Sequence, residues 1–202
     1  MNEQTLVAQA QQGDARAFEE LVRAYEGRIY AVALRWTNHR EDALDISQEV
    51  FLRVYRFLGS FDSRSSFSTW IYRIAVNACK DFSARRARLQ EQPLERSDGE
   101  ESYETALPDD RYDPEAVYAD KERGELLRQA IAALPDEHRE MILLRDVRGL
   151  SYREIGAILG LEEGTVKSRI SRAREKLRLS LTENGNFFAG PQSKTAKGGQ
   201  SK

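Results

Sequence analysis

The sequence contains one cysteine, Cys79, and only two histidines, His39 and His138. A single cysteine allows no internal disulfide and no cysteine zinc site, so the chain suits a reducing compartment. Cys79 reads as a small buried hydrophobe rather than a nucleophile. The two histidines lie far apart, and neither stands near a paired acid that would suggest acid–base or nucleophilic catalysis. There is no Gly-rich phosphate loop. No apolar run is long enough to span a membrane, and the polar start Met-Asn-Glu-Gln-Thr does not resemble a signal peptide. These absences argue against an enzyme, a metal or cofactor protein, and a membrane-inserted one. They predict a soluble, cytoplasmic chain.

What is present is charge and helical period. Charged residues make up 32% and hydrophobic residues 40% of the chain, with a formal net charge of -2. That near-neutral total hides strong local polarity. The segment from Leu150 to Leu177 reads as two helices joined by a tight turn. Ser151 and Glu154 have the spacing of a capping box, and Ile155, Ile158 and Leu159 form one apolar face. Gly160 supplies the left-handed stop, and Leu161 plugs the angle. The second helix buries Val166, Ile170, Ala173 and Leu177. Its other face carries Lys167, Ser168, Arg169, Ser171, Arg172, Arg174, Lys176 and Arg178. From Gly164 to Arg178 six basic residues face one acid, a net charge of about +5. This is the layout of a helix-turn-helix, in which the second helix enters the major groove. A plain amphipathic hairpin would share the basic face, but not the cap, the glycine turn and the charge polarity together.

The rest of the chain predicts an all-α protein. A short helix spans about Glu3 to Gln12. Asp14 caps a second helix that runs to about Thr37, where Gly27 allows a local bend. Asn38 to Asp42 reads as a turn, and a third helix covers Ala43 to Leu58. A polar loop, Phe61 to Ser66, precedes a fourth helix opened by Ser68-Thr69-Trp70, which turns basic at Lys80, Arg85, Arg86 and Arg88. Aromatic rings beside those cations suit single-stranded nucleic acid, where bases stack and phosphates are neutralised. Core aromatics with a solvated basic face explain the same residues, and chemistry alone leaves both open. Residues 90 to 115 carry ten acids against two arginines, a net charge near -8, with three prolines and no apolar period. Such a stretch reads as a flexible linker. Beyond it, Pro114 opens a helix, Leu134-Pro135 ends it, and Asp136 caps another that closes at Gly149. The tail after Asn184 has a disordered composition. The predicted organisation is therefore a first helical domain at 1–90, an acidic flexible linker at 91–115, a second domain with the helix-turn-helix at 116–182, and a tail at 183–202.

The order of motifs resembles a family. Asp45-Ile46-Ser47-Gln48-Glu49-Val50-Phe51, Phe67-Ser68-Thr69-Trp70-Ile71-Tyr72-Arg73-Ile74-Ala75-Val76-Asn77, Leu134-Pro135 and Gly164-Thr165-Val166-Lys167-Ser168-Arg169 together look like an extracytoplasmic-function (ECF) sigma factor of bacterial RNA polymerase. The likeness covers about Thr5 to Leu181. It implies two helical domains on a flexible linker, binding core RNA polymerase and directing it to promoters. The first domain would melt DNA and hold the minus-ten element, and the second would read the minus-thirty-five element.

Residue by residue, the resemblance implies that Asp45, Gln48 and Glu49 dock on the polymerase. Phe61, Asp62, Ser63, Arg64, Ser65 and Ser66 match the loop that cups a base flipped from the non-template strand. Asn77 falls near that pocket, Trp70 and Tyr72 near the melting surface, and Lys80 and Arg85 match phosphate contacts. Lys167, Ser168, Ser171 and Arg172 match the base-reading face, with Arg153 and Thr165 on phosphates. Ser171 lies where some relatives are bulkier, so the element read here can differ. The implied partners are core polymerase, promoter DNA as duplex and as melted strand, and an anti-sigma factor. The acidic linker would thread a polymerase channel. A response-regulator activator shares the helix-turn-helix, but it would need a receiver domain of alternating strands and helices, and the first half shows no strand pattern. A purely scaffolding helical protein would leave the basic helix unexplained.

Overall fold

The computed structural model describes the backbone of residues 2–90 and 114–183, and the side chains of residues 2–89 and 123–183. Nearly all of the predicted linker and tail lies outside the described residues. Eight α-helices make up the described chain, with no strand among the described residues. Four belong to the first unit: α1 (Glu3–Gln11), α2 (Ala15–Thr37), α3 (Arg40–Phe57) and α4 (Phe67–Gln90). Four belong to the second: α5 (Pro114–Ala132), α6 (Asp136–Ile142), α7 (Tyr152–Leu159) and α8 (Glu163–Glu183).

Local chemistry sets most boundaries. Asp14 caps α2, its carboxylate accepting from the Arg16 and Ala17 N–H groups at 2.9 and 3.2 Å. α2 continues through Gly27 without a break, with open space where a Cβ would stand. α3 begins three residues before the expected Ala43. His39 caps it, the imidazole Nδ1 accepting from Asp42 N–H at 3.4 Å, so most of the predicted turn is helix. α4 starts at Phe67 rather than Ser68, because the Ser66 hydroxyl accepts from Thr69 N–H at 3.1 Å.

In the second unit Asp136 is not a cap. It is the first helical residue, after Pro135, and it pairs with Arg139 at 3.1 Å. Arg139 in turn donates to the carbonyls of Ile131 (3.3 Å) and Leu134 (2.6 Å), satisfying groups that the end of α5 leaves open. Nor does α6 continue unbroken to Gly149. Leu143–Val147 form a widened π turn, in which Arg148 N–H reaches Leu143 C=O at 3.0 Å, and Gly149 leaves it at φ +71°.

Each unit buries the faces expected from its periodicity. Leu21, Tyr25, Ile29, Val32 and Trp36 of α2 meet Ile46, Val50 and Val54 of α3 and Ile71 and Ala75 of α4. Met141, Ile142, Leu143, Leu144, Ile155, Val166 and Ile170 fill the second unit. Each such large side chain contributes roughly 1.5–3 kcal/mol by leaving water. The two units also touch. α2 packs on α5 and α4 on α7, so the buried residues form one continuous cluster.

Candidate nucleic-acid interface

The helix-turn-helix forms as its sequence dictates. The Ser151 hydroxyl accepts from Glu154 N–H at 3.2 Å, and Ser151 N–H returns to the Glu154 carboxylate at 2.8 Å. The Ser151 hydroxyl also donates to that carboxylate at 2.7 Å, and this bond first, with the Ser151 N–H bond second, holds the Glu154 carboxyl below the usual carboxylate range. Gly160 ends α7 in the left-handed region, at φ +68° and ψ +37°. The turn is tight enough that a Cβ on Gly156 would sit 2.5 Å from the Leu161 carbonyl oxygen. Sequence reasoning passed over Gly156. Its signal was a glycine in the middle of a short helix, where it costs about 1 kcal/mol relative to alanine unless space demands it.

α8 then presents two faces. Val166, Ile170 and Ala173 are buried, while Thr165, Lys167, Ser168, Ser171 and Arg172 are exposed on the opposite side. Arg153 is exposed on α7. The cations of α8 are not equivalent. Arg174 pairs with Asp146, and Arg178 with Glu175. Arg169 is half-buried and close enough to Glu140 to favour its charged form, so it leaves the outward face predicted for it. Of the exposed cations of α8, Lys167, Arg172 and Lys176 form no ion pair among the described residues, and these are the charges free to meet phosphate or a base edge. The Ser168 hydroxyl donates to Thr165 C=O at 2.9 Å.

The first unit mixes its candidate residues with its core. Phe61, Phe67 and Trp70 form an aromatic cluster with ring centroids 5.0 to 5.9 Å apart, and Tyr25 joins Phe67 edge-on at 5.4 Å. Phe61, Trp70 and Tyr72 are all buried. The open question about these rings resolves toward the core as the chain stands. Between them the loop bulges outward. Asp62, Ser63, Arg64 and Ser66 are exposed and Ser65 is half-buried. The Asp62 carboxylate accepts from Arg64 N–H at 3.1 Å and pairs with its guanidinium at 3.0 Å, while Ser63 takes φ +59°. The base of the loop is held from α1, where the Gln11 amide donates to Leu58 C=O at 3.0 Å and Phe61 C=O at 2.8 Å. On α4, Asn77 is exposed, and Arg73 is exposed one turn earlier on the same face. Arg73 was not among the sequence candidates, although the i, i+4 spacing to Asn77 would have found it.

Asp45 and Gln48 are exposed on α3. Glu49 is half-buried, and its carboxylate accepts from Arg53 at 2.7 Å, while Arg53 also reaches Asp81 of α4 at 2.7 Å. Leu44, Leu52 and Tyr55 continue the same strip, Leu52 and Tyr55 at 60% and 71% exposure. Large apolar side chains left outside beside free polar groups mark a protein-binding surface. Arg85 is exposed at the end of an open groove lined by Asp42, Asp45, Glu49 and Arg86, and Arg86 pairs with Asp42 at 3.2 Å.

Helical spacing does not report the contacts between the units. Lys80 of α4 pairs with Glu140 of α6 at 2.5 Å, and Glu140 is 2% exposed. Burial pushes the Glu140 carboxyl up and Lys80 opposes it. Arg148 donates to the Tyr72 hydroxyl at 2.8 Å and lies 5.4 Å from its ring centre. Arg139 stacks over Trp36 at 4.9 Å. Cys79 is fully buried nearby, its thiol pushed up to about 12 by burial. The one available hint was Glu140, an acid directly before the apolar run Met141 to Leu144.

Two family models match the chain: Sigma-70 region 2 over residues 21–89, and Sigma-70, region 4 over residues 124–177. The chain is 37% identical over 181 residues to the RNA polymerase sigma-H factor of Pseudomonas aeruginosa, covering 89% of this chain and 93% of that one. It is 38% identical over 173 residues to the ECF RNA polymerase sigma factor SigE of Mycolicibacterium smegmatis, covering 86% of this chain and spanning 65% of the relative's length. Among solved structures, the sigma factor RpoE of Bartonella quintana, in complex with the anti-sigma factor NepR, superposes with a TM-score of 0.63 at 23% identity. That match covers 83% of this chain and 98% of the other, and it is a likeness of fold.

Proposed function

The chain belongs to the extracytoplasmic-function sigma factors of bacterial RNA polymerase, and from that membership we propose how its surfaces divide the work of initiation. It is an initiation factor, not an enzyme, and it directs core polymerase to a class of promoters. The exposed strip Asp45, Gln48, Leu52 and Tyr55 on α3 docks on the polymerase, with Glu49 holding Arg53 in place beside it. The loop 61–66 receives a flipped base of the non-template strand. Its rim is Asp62 to Ser66, its floor the Phe61–Trp70 cluster, and Asn77 with Arg73 lines the adjoining face. Tyr72, Lys80 and Arg85 extend that path along α4. In the second unit Lys167, Ser168, Ser171 and Arg172 face base edges in the major groove, while Arg153 and Thr165 reach phosphates.

The observation that carries this assignment is the outward face of α8. Two of its cations that are unpaired among the described residues, Lys167 and Arg172, stand on a helix braced by α7. The partners are core polymerase and promoter DNA, and an anti-sigma factor of the kind seen with the Bartonella relative. No helix among the described residues is long and apolar enough to cross a membrane, and we place the action in the cytoplasm, where the polymerase works.

Run-off transcription tests the proposal. Purified core polymerase and a pool of promoter fragments should give start-site-specific transcripts only when the protein is added. Duplex binding with no effect on core initiation would instead make it a stand-alone regulator.

A further inference from the structure

Arg73, Asn77, Asp81 and Arg85 recur at i, i+4 spacing along α4, and all four are exposed. Three of them are assigned above to the captured strand. The fourth is an acid, which repels phosphate. Asp81 therefore contributes nothing to strand capture by its own charge, and the contact that accounts for it points the other way. Its Oδ2 accepts from Arg53 Nη1 of α3 at 2.7 Å, across 28 residues of sequence. Asp81 forms no other hydrogen bond or ion pair among the described residues.

Arg53 uses a second nitrogen on the docking side of α3. Its Nε donates to Glu49 Oε1, one turn earlier, at 2.7 Å. An i, i+4 ion pair at a surface contributes little by itself and leaves both side chains free to change rotamer. A guanidinium engaged at both Nε and Nη1 behaves differently. Its plane is rigid and its donors diverge in a fixed fork, so two acceptors on different nitrogens set the orientation of the whole group. Solvent access agrees. The Arg53 side chain is 25% exposed, against 40% for Glu49 and 53% for Asp81, so the cation is the sheltered middle and the acids are its ends. Both acids favour the charged guanidinium, Glu49 before Asp81. Only one oxygen of Glu49 is used. Oε2 makes no bond among the described residues, and a carboxylate oxygen so left can still accept.

We propose that Asp81 is a positioning residue for polymerase docking: it orients Arg53, and Arg53 in turn holds the Glu49 carboxylate with one oxygen free for the polymerase. The relay rests on the reading that this side of α3, Glu49 included, meets the polymerase. A side chain already held in place loses less freedom on association, so the anchor acts by preorganising the contact and not by touching the partner.

The test measures the affinity of the full chain for purified core polymerase, by competition against a labelled parent chain. Asp81→Ala should weaken binding by roughly two- to tenfold, the range expected when one long side chain must be immobilised on association, with helicity unchanged. In a Glu49→Ala background, where the carboxylate to be positioned is gone, Asp81→Ala should make no further difference. Parent-like affinity for Asp81→Ala overturns the relay. So does an equal loss in both backgrounds, because a merely structural tie between α3 and α4 would act whether or not Glu49 is present. If Asp81→Ala loses helicity, Arg53→Lys takes its place, since a lysine carries a point charge without the fork. Weaker core binding at normal helicity then supports the relay, and parent-like affinity overturns it. Glu49→Ala alone separates the two levels. Parent-like affinity there removes Glu49 from the docking face, and the relay with it. A loss there beside a silent Asp81→Ala overturns the relay and leaves the docking face standing.

Discussion

The two units solve the same problem, presenting chemistry to DNA, in opposite ways. In the second unit, support and contact are separate sets of side chains. Val166, Ile170 and Ala173 hold α8 in place, and Lys167, Ser168, Ser171 and Arg172 face outward. In the first unit the sets overlap. Phe61 and Trp70 are core residues that also form the floor of the proposed base pocket, and Tyr72 lies under the second unit. A duplex offers edges and phosphates to a convex helix, so contact needs only exposed side chains. A flipped base needs a concavity walled by apolar rings, and those rings are shared with the core.

The sharpest way to break this contrast is Trp70→Ala. It removes a buried ring from a four-ring cluster, so unfolding stability should fall by about 3–5 kcal/mol. Strand binding should be lost along with it, as read by chemical denaturation and by anisotropy of a labelled strand. Stability near the parent's would separate floor from core. Gly156→Ala comes next. Its Cβ would meet the Leu161 carbonyl at 2.5 Å, so the turn must widen, at a cost of about 1–3 kcal/mol. Duplex binding should weaken although every base-facing residue remains. A melting temperature equal to the parent's would contradict the tight turn.

Arg172→Ala should do the reverse. Duplex affinity for the upstream element should drop by about 1–3 kcal/mol if the guanidinium holds a base edge, while the denaturation midpoint stays unchanged. Affinity and base preference both equal to the parent's would remove Arg172 from the reading set. The smallest effect expected is at the cap. Ser151→Ala should cost about 1 kcal/mol. The Glu154 carboxyl is held below its ordinary value. Its contribution is therefore present at neutral pH and down to the ordinary carboxylate range, and it is lost as pH falls through the lowered folded value. The difference in melting temperature between the parent and Glu154→Gln should shrink over that acid range. A difference independent of pH would assign the effect to packing.

The contrast also explains what could be read in advance. The cap at Ser151, the stop at Gly160 and the buried face of α8 follow from local spacing, and each stands as expected. The helix starts at Arg40 and Phe67 were missed because His39 and Ser66 act as caps through single side-chain bonds, which periodicity does not report. Asp136 looked like a cap by residue type, yet Arg139 does the stitching of that corner from inside the next helix. Arg169 counted as outward by charge, and its partial burial near Glu140 shows otherwise. The Lys80–Glu140 and Tyr72–Arg148 contacts join residues 60 and 76 positions apart. Pairings at that separation have no period in the sequence, and a lone acid beside an apolar run was their whole trace.

Gln11 holds the loop by its main chain alone, its amide reaching the carbonyls of residues 58 and 61 and no loop side chain. Such an anchor is indifferent to which amino acids follow. Exchanges at Arg64 and Ser65 therefore leave this anchor in place, while Asp62 still shapes the turn through Arg64 N–H, so preference for the base taken by the proposed pocket can drift in evolution at little cost to folding. One glutamine on the first helix thereby gives a lineage of such proteins a place to acquire new promoters while the scaffold stays as it is.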